Sequence, residues 1–175
     1  MSLTVEEIKR LLDLQPHPTC GFFAETYVSK LSVPGSALPA GYGGSRALAS
    51  VLYFLVSPER QMKLHRLRAD QMYHHYLGDP LEVLLLYADG QGEVRTVGAD
   101  LAAGMQPQLL VPGSTFHVSR VRPGCSFALM GTTAWPAPDP PDFEPGDPAQ
   151  LMAAYPALRE QIETFTRWPA SDAKV

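Results

Sequence analysis

Short runs of alternating or apolar residues, separated by turn residues, make up most of the chain. From Phe22 to Ser29 the residues FFAETYVS alternate, and Ala47 to Val56 form an apolar run rich in β-branched and aromatic residues. Further short runs follow at Gln61–Arg68, Gln71–Leu77, Leu81–Ala88, Glu93–Gly98, Gln108–Val111, Thr115–Arg122 and Cys125–Thr133. About eight to ten short strands with no helix between them predict an antiparallel sandwich or barrel.

Helical patterns occur only near the two ends of the chain. Thr4 and Glu7 form a capping box, and apolar residues then recur at helical spacing, which predicts a short helix from Val5 to Leu14. Pro16 ends it, because proline lacks a backbone donor and restricts the residue before it. Near the other end, Asp147 is a suitable N-cap. An amphipathic segment then begins at Pro156, with apolar positions at Leu158, Ile162 and Phe165.

Two segments between these elements are rich in proline or glycine. Residues 34–45 contain four Gly and two Pro, which predicts a loop and the most mobile flap of the molecule. Residues 136–148, here called the strap, read PAPDPPDFEPGDP and predict an extended crossing over the outside of the barrel, pegged by Phe143. The expected organisation is one domain, 1–175, with a core at about 20–135 and the strap and helices at 136–168.

Charge and composition exclude several classes of function. The net charge is −4 without blocks of like sign, so a nucleic-acid partner is not expected. No apolar run is long enough for a membrane helix, and the opening residues MSLTVEEIKRLL are acidic and amphipathic, unlike a secretion signal. We therefore expect a soluble, cytoplasmic protein. Cys20 and Cys125 lie far apart and are expected to be reduced thiols.

The candidate chemistry lies in the stretch from His65 to Leu86, which holds three of the five histidines. Residues two apart on a strand share a face. If that face lines a barrel, His65, Gln71, Tyr73 and His75 converge in one cavity, whereas His74 points outward.

Two residues elsewhere are weaker candidates for contact with a ligand, and a third is assigned to a turn. Glu25 lies among aromatic residues on the strand Phe22–Ser29 and is either a ligand contact or an edge charge that discourages aggregation. Arg46 is a candidate anchor for an anion. His17 lies between two prolines and is interpreted as a turn residue.

The spacing of these residues resembles that of the cupin superfamily. Its first motif has the form H-x-H, then Glu, then Gly, and its second has the form P-x-G-x-x-H. His65, Gln71 and Gly78 fall at the first His, the Glu and the Gly, and Pro112 and His117 fall at the ends of the second motif. Leu67 replaces the second His, Gln71 replaces the Glu, and Ser114 replaces the second motif's Gly.

With these departures, the sequence resembles a small branch of uncharacterised cupin-type proteins. The segments that agree with it in order are Leu14–Pro18 with Gly21–Phe22, His65–Leu67, Asp70–Gln71, Tyr73–His74, Gly78–Glu82 and Asp142–Glu144. The resemblance implies a mainly all-β fold, a double-stranded β-helix or jelly-roll barrel with short terminal helices. It also implies a homodimer and a pocket placed like those of metal cupins and nucleotide-sugar epimerases, but no established reaction.

Three functions are consistent with the predicted pocket. The first is binding of a small polar metabolite, such as a sugar or nucleotide sugar, by His65, Gln71, Tyr73, His75, His117, Glu25 and Arg46. The second is acid–base catalysis in a sugar epimerase or isomerase, with His65 or His117 as the base and Tyr73 as the proton donor. The third is a divalent metal held by His65, His75 and His117 without any anionic ligand, although no cofactor is expected. A homodimer would pair the strand Phe22–Ser29 with a neighbouring sheet.

Overall fold

Antiparallel strands with short helices at both ends form the architecture of residues 3–167, the part that this computed structural model describes. The strands are β1 (Gln15–His17), β2 (Gly21–Val28), β3 (Ser32–Val33), β4 (Arg46–Ala47), β5 (Ser50–Val56), β6 (His65–Leu67), β7 (Asp70–Gly78), β8 (Leu81–Leu86), β9 (Gly92–Val97), β10 (Gln108–Val111), β11 (Phe116–Val121), β12 (Ala128–Trp135) and β13 (Phe143–Pro145). The helices are α1 (Val5–Leu11), α2 (Pro148–Ala154) and α3 (Arg159–Thr166). This confirms the predicted mainly all-β class.

Two large sheets and one small ribbon organise the strands. The six-stranded sheet has the order β1-β2-β5-β12-β7-β10, and the five-stranded sheet has the order β13-β6-β11-β8-β9. Strands β3 and β4 pair separately as a two-stranded ribbon. Neighbours in each large sheet are mostly distant in the chain, as in a jelly roll.

The main core lies between the two large sheets. The six-stranded sheet contributes Phe54, Tyr73 and Met130, and the five-stranded sheet contributes Leu81, Val83 and Leu85. Strand β8 is apolar on both faces because its other side chains, Leu84 and Leu86, pack outward against the C-terminal helices. A strand buried on both faces has a nearly continuous apolar sequence.

The helices cover the outer faces of the two sheets. In α3, Ile162 and Phe165 pack with Leu84 of the five-stranded sheet. At the other end of the chain, Ile8 of α1 packs with Leu55 of the six-stranded sheet. Both predicted caps are present: Thr4 and Glu7 form the capping box, and Asp147 accepts hydrogen bonds from the first turn of α2. No helix within residues 3–167 is long and apolar enough to cross a membrane.

Several predicted elements are longer than the observed ones, and two of them have a clear physical cause. Helix α1 ends at Leu11 rather than Leu14, because Asp13 has a left-handed backbone with φ of 50°. The predicted strand Gln61–Arg68 is reduced to β6 because the preceding backbone changes partners: the N–H of Met62 donates to Ser119 and that of Lys63 to Thr19.

The strap ends in strand β13, which pairs with β6 at the edge of the five-stranded sheet. An edge position suits a proline-rich segment, because a missing N–H there leaves no ladder partner unsatisfied. Position 168, the end predicted for the C-terminal helices, lies outside the described residues.

Candidate functional site

A cavity of about 400 Å³ lies against the inner face of the six-stranded sheet, beside β6 and the strap. Its wall is mostly apolar, with a few polar side chains set into it. The lining residues are His17, Pro18, Thr19, Cys20, Phe23, Leu52, Phe54, Met62, His65, Leu67, Gln71, Tyr73, Thr132, Pro138, Asp139, Pro140 and Phe143. A concave, mainly apolar site with a few polar groups is the usual form of a small-molecule site.

Strand alternation brings three of the predicted site residues, His65, Gln71 and Tyr73, into the cavity wall. On β6 the next side chain, Arg66, lies on the other face, where it donates hydrogen bonds to Glu144 at 2.8 to 3.0 Å. On β7 the side chain of His74 lies outside the cavity, next to Thr133, as its place in the alternation requires.

The prediction that His75 joins this wall is wrong. The register between β7 and β12 changes after His75, where β7 carries an extra residue, Tyr76. The His75 ring turns toward the end of the strand, with Nε2 3.1 Å from the Asp79 carbonyl oxygen, and it does not line the cavity. Alternation predicts the face of a strand on which a side chain lies, but it predicts neither this β-bulge nor the contact of His75 with the Asp79 carbonyl oxygen.

Glu25 and Arg46 also lie outside the wall. Glu25 is exposed on β2, next to a second bulge. Arg46 is buried and does bind an anion, but that anion belongs to the chain itself: its Nε lies 2.9 Å from Oδ2 of Asp142, and its Nη1 lies 3.2 Å from Oδ2 of Asp139. Burial alone would raise the pKa of Asp142, but the hydrogen bonds from Arg46 and from the Asp139 N–H, together with the charges of Arg46 and Arg68, hold that pKa below its usual value.

His117 lies next to His65 because the two residues are register partners between β11 and β6. Their ring centroids are 4.3 Å apart, and His117 is fully buried behind the cavity wall. The Nδ1 atom of His65 is 2.7 Å from the Lys63 carbonyl oxygen, and that of His117 is 3.1 Å from the Thr115 carbonyl oxygen. A carbonyl only accepts, so both Nδ1 atoms carry the ring proton and both Nε2 atoms are acceptors.

Both histidines are neutral near pH 7. Burial lowers the pKa of His65 to about 4, although its hydrogen bond to the Lys63 carbonyl opposes the shift. Burial, and then the neighbouring His65, lower the pKa of His117 well below its ordinary value. The Nε2 atom of His117 has no hydrogen-bond partner in the described part of the chain. An unpaired buried acceptor costs free energy, so the lone pair of His117 Nε2 is a favourable partner for a hydrogen-bond donor.

Tyr73 is a fully buried member of the wall. Its hydroxyl donates to Sδ of Met62 at 3.4 Å, and burial raises its pKa above the usual value for tyrosine. The phenol is thus held protonated, with its proton directed at a weak acceptor.

His17 is the site residue that the sequence interpretation missed, because it was assigned to a turn. It lines the cavity, its ring lies edge-on to Phe23 at 4.7 Å, and its Nδ1 accepts from the Thr19 N–H at 3.2 Å. The ring proton is therefore on Nε2, which makes His17 a donor. The segment Leu14–Pro18, which carries part of the cupin resemblance, contained the signal.

The strap forms part of the wall rather than merely crossing outside it. Phe143 stacks on the His65 ring with centroids 5.0 Å apart and planes inclined by 28°, so it does peg the strap to the barrel. Pro138, Asp139 and Pro140 complete this side. The loop 34–45, predicted to be a flap, contributes no lining residue.

The residues present do not fit a metal of the kind that many cupins hold. With His75 turned away, the proposed ligand set is reduced to His65 and His117. Leu67 and Gln71 occupy the two other ligand positions of the motif and supply neither imidazole nor carboxylate. Within residues 3–167, no group of three or more His, Cys, Asp or Glu side chains is placed to hold a metal ion.

Two solved structures are similar to this chain over nearly its whole length. A hypothetical protein from Leishmania major is 28% identical, with a TM-score of 0.84 over 95% of this chain and 100% of its own. A protein from Shewanella oneidensis is also 28% identical, with a TM-score of 0.81 over 96% and 100%. A cupin 2 domain-containing protein from Halorhodospira halophila shares only the fold: it is 15% identical, with a TM-score of 0.53 over 85% and 83%.

No functionally curated protein matches the sequence. A model of the family described as Cupin superfamily (DUF985) matches residues 6–145. This range extends from α1 through the cavity-lining strands to the end of β13. The chain therefore belongs to the DUF985 family of the cupin superfamily.

Proposed function

We propose that this protein binds a small organic molecule in the cavity beside the strap. The observation that carries the proposal is the cavity itself. It has a volume of about 400 Å³ and a mainly apolar wall, and its polar anchors are His17, His65, Gln71 and Thr132. A ligand with an apolar body and a few polar groups matches such a wall. The wall therefore suits a molecule with more apolar surface than an unsubstituted sugar has.

Binding fits the geometry better than acid–base catalysis does. A general base works best when its pKa lies near the working pH. The pKa of His65, at about 4, makes it a weak base, and His117 is fully buried behind it. Tyr73, the expected proton donor, is held by Met62 and has a raised pKa.

A thermal-shift screen of a metabolite panel tests the proposal. A ligand that binds only the native state at a hundred times its Kd stabilises the protein by about 2.7 kcal/mol. The variant Leu52→Trp tests whether a ligand binds in this cavity, because the larger side chain fills it. The matched control is Leu110→Trp on the exposed surface of β10.

We expect at least one compound to raise the Tm of the wild type and of Leu110→Trp, but not of Leu52→Trp. A panel that shifts no Tm, or shifts that persist in Leu52→Trp, would contradict binding in this cavity.

We also propose that the protein forms a homodimer through the edge of β2. Strand β1 covers this edge only at Gly21–Phe23, and within the described residues the edge beyond it pairs with no other strand. The exposed apolar side chains Tyr27, Val28 and Leu31 lie at that end. An uncovered apolar edge favours pairing with a second copy. Sedimentation equilibrium should give a dimer that Tyr27→Lys weakens, and a monomer at every concentration would contradict it.

A further inference from the structure

Resting on the proposed ligand binding, we propose that the ligand of the cavity is uncharged: a molecule with an aromatic or similar apolar body that offers both a hydrogen-bond donor and an acceptor. Two independent features of the wall carry this inference. One is the charge of the lining side chains, and the other is the protonation pattern of its histidines.

Among residues 3–167, no lysine or arginine lines the cavity. The guanidinium of Arg46, which binds the lining residue Asp139, is buried against Asp142 and is not part of the wall. The thiol of Cys20 is neutral because burial raises its pKa to about 12. A carboxylate or phosphate in this cavity would therefore lose its water without gaining a cation, which is strongly unfavourable.

A cationic ligand would meet the same difficulty. Asp139 is the one carboxylate that lines the cavity in the described part of the chain. Its side chain is largely exposed at the rim and already lies 3.2 Å from the Arg46 guanidinium. An exposed, paired carboxylate does little for a charge held in the cavity, because solvent and its existing partner screen it.

The histidines of the wall supply one donor and one acceptor. Thr19 fixes the ring proton of His17 on Nε2, so this residue offers an N–H. Lys63 fixes the ring proton of His65 on Nδ1, so this residue offers a lone pair at Nε2. Burial lowers the pKa of both residues, which keeps both rings uncharged.

Two neutral polar side chains complement the histidines. Gln71 presents an amide, which both donates and accepts, and it is almost fully buried in the wall. The hydroxyl of Thr132 is buried and has no partner within residues 3–167. A ligand group such as a carboxamide or lactam, with an N–H and a C=O, matches these neutral anchors.

Matched sets of small aromatic compounds test the inference. Each set has one shape and three charges: benzamide, benzoate and benzamidine, and the corresponding derivatives of naphthalene. Ligand-observed NMR titrations at pH 7 would compare their affinities, with Leu52→Trp as the cavity-filled control. We expect each neutral member to bind at least tenfold more tightly than its charged relatives, and only to proteins with an open cavity.

A charge placed at the rim sharpens the test. Leu67 lines the cavity and is partly exposed, so Leu67→Lys introduces a cation without burying it fully, and Leu67→Met is the neutral control. Leu67→Lys should improve the affinity for the carboxylates at least tenfold relative to the carboxamides, whereas Leu67→Met should leave the order unchanged.

The outcomes separate the two proposals. If carboxylates or amidines bind the wild-type cavity as tightly as the carboxamides, the inference of an uncharged ligand is overturned while cavity binding stands. If neither these compounds nor the metabolite panel binds the open cavity, the proposed function is overturned, and this inference with it.

Discussion

Strand β6 separates two polar clusters that differ in charge. On its cavity side, His65 and His117 are neutral because burial lowers the pKa of both rings. On its other side, Arg66 pairs with Glu144, and the buried Arg46 pairs with Asp142. Both clusters include a residue of β6, His65 or Arg66, and both contact the strap.

The difference shows how the strap serves both clusters. Phe143 stacks on His65, whereas its two chain neighbours, Asp142 and Glu144, bind arginines on the other side. The charged side fixes the position of the strap, and the neutral side shapes the cavity. Paired ions define a geometry even where they add little net stability.

Acidification should produce the largest effect, on the neutral side. A buried histidine with a lowered pKa binds a proton more readily in the unfolded state, so its contribution to stability is complete above about pH 6.5 and is lost as the pH falls toward 4. Because the pKa of His65 is lowered from 6.5 to about 4, full acidification should reduce the free energy of unfolding by about 3 kcal/mol through this residue. The lowered pKa of His117 acts in the same direction. Urea unfolding at pH 7.5 and 4.5 should show most of this loss.

The variant His65→Phe tests the origin of that loss. Its stability should fall less between the same two pH values, because the ring that resists protonation is gone. An unchanged pH dependence would mean that His65 is not part of it.

On the charged side, Asp142→Ala should destabilise the protein by about 2–3 kcal/mol, because the buried Arg46 would keep only one carboxylate partner, the exposed Asp139. Urea unfolding at pH 7 measures the effect. The double variant Arg46→Met with Asp142→Leu should recover most of it, since neither charge remains. A loss as large in the double variant would contradict this interpretation.

Truncating Phe143 should affect both clusters moderately. Phe143→Ala removes a half-buried ring that stacks on His65, which should cost about 1–2 kcal/mol, less than a fully buried Phe. It should also weaken carboxamide binding in the NMR titrations. Phe143→Leu, which keeps an apolar side chain, should lose less stability; equal losses would show that the ring is not what pegs the strap.

Glu144→Ala should have the smallest effect, about 0.5 kcal/mol, because the Arg66–Glu144 pair is exposed to solvent. Urea unfolding in low and high salt checks this value, which should shrink as salt rises. If Glu144→Ala and Asp142→Ala were equally destabilising, burial would not be what distinguishes the two ion pairs.

Local patterns were sufficient to predict most of the strands and helices and an antiparallel sandwich or barrel, whereas the jelly-roll arrangement was implied by the cupin resemblance. The caps at Thr4 and Asp147 and the alternation in β6 and β7 depend on residues within a few positions of each other, so sequence spacing reports them directly. His65, Gln71 and Tyr73 were placed in the wall by the same alternation.

The errors concern contacts between distant parts of the chain. Arg46 and Asp142 are 96 positions apart, so no local pattern shows that they meet. His75 lies next to a β-bulge in the pairing of β7 with β12, and its ring contacts the Asp79 carbonyl oxygen instead of lining the cavity. Ser114 is different: it has a φ of 65° where the cupin motif has Gly, so the motif indicated the backbone conformation although the residue differs.

The position of the strap in the chain also has a consequence for biosynthesis. Strand β6 pairs with β11 and β13, which are made long after it, and the wall residue Phe143 emerges from the ribosome later than all the others. Contacts of such long sequence separation form late, because loop closure precedes them. A nascent chain that ends before the strap therefore lacks one side of the cavity wall, the side formed by Pro138, Asp139, Pro140 and Phe143.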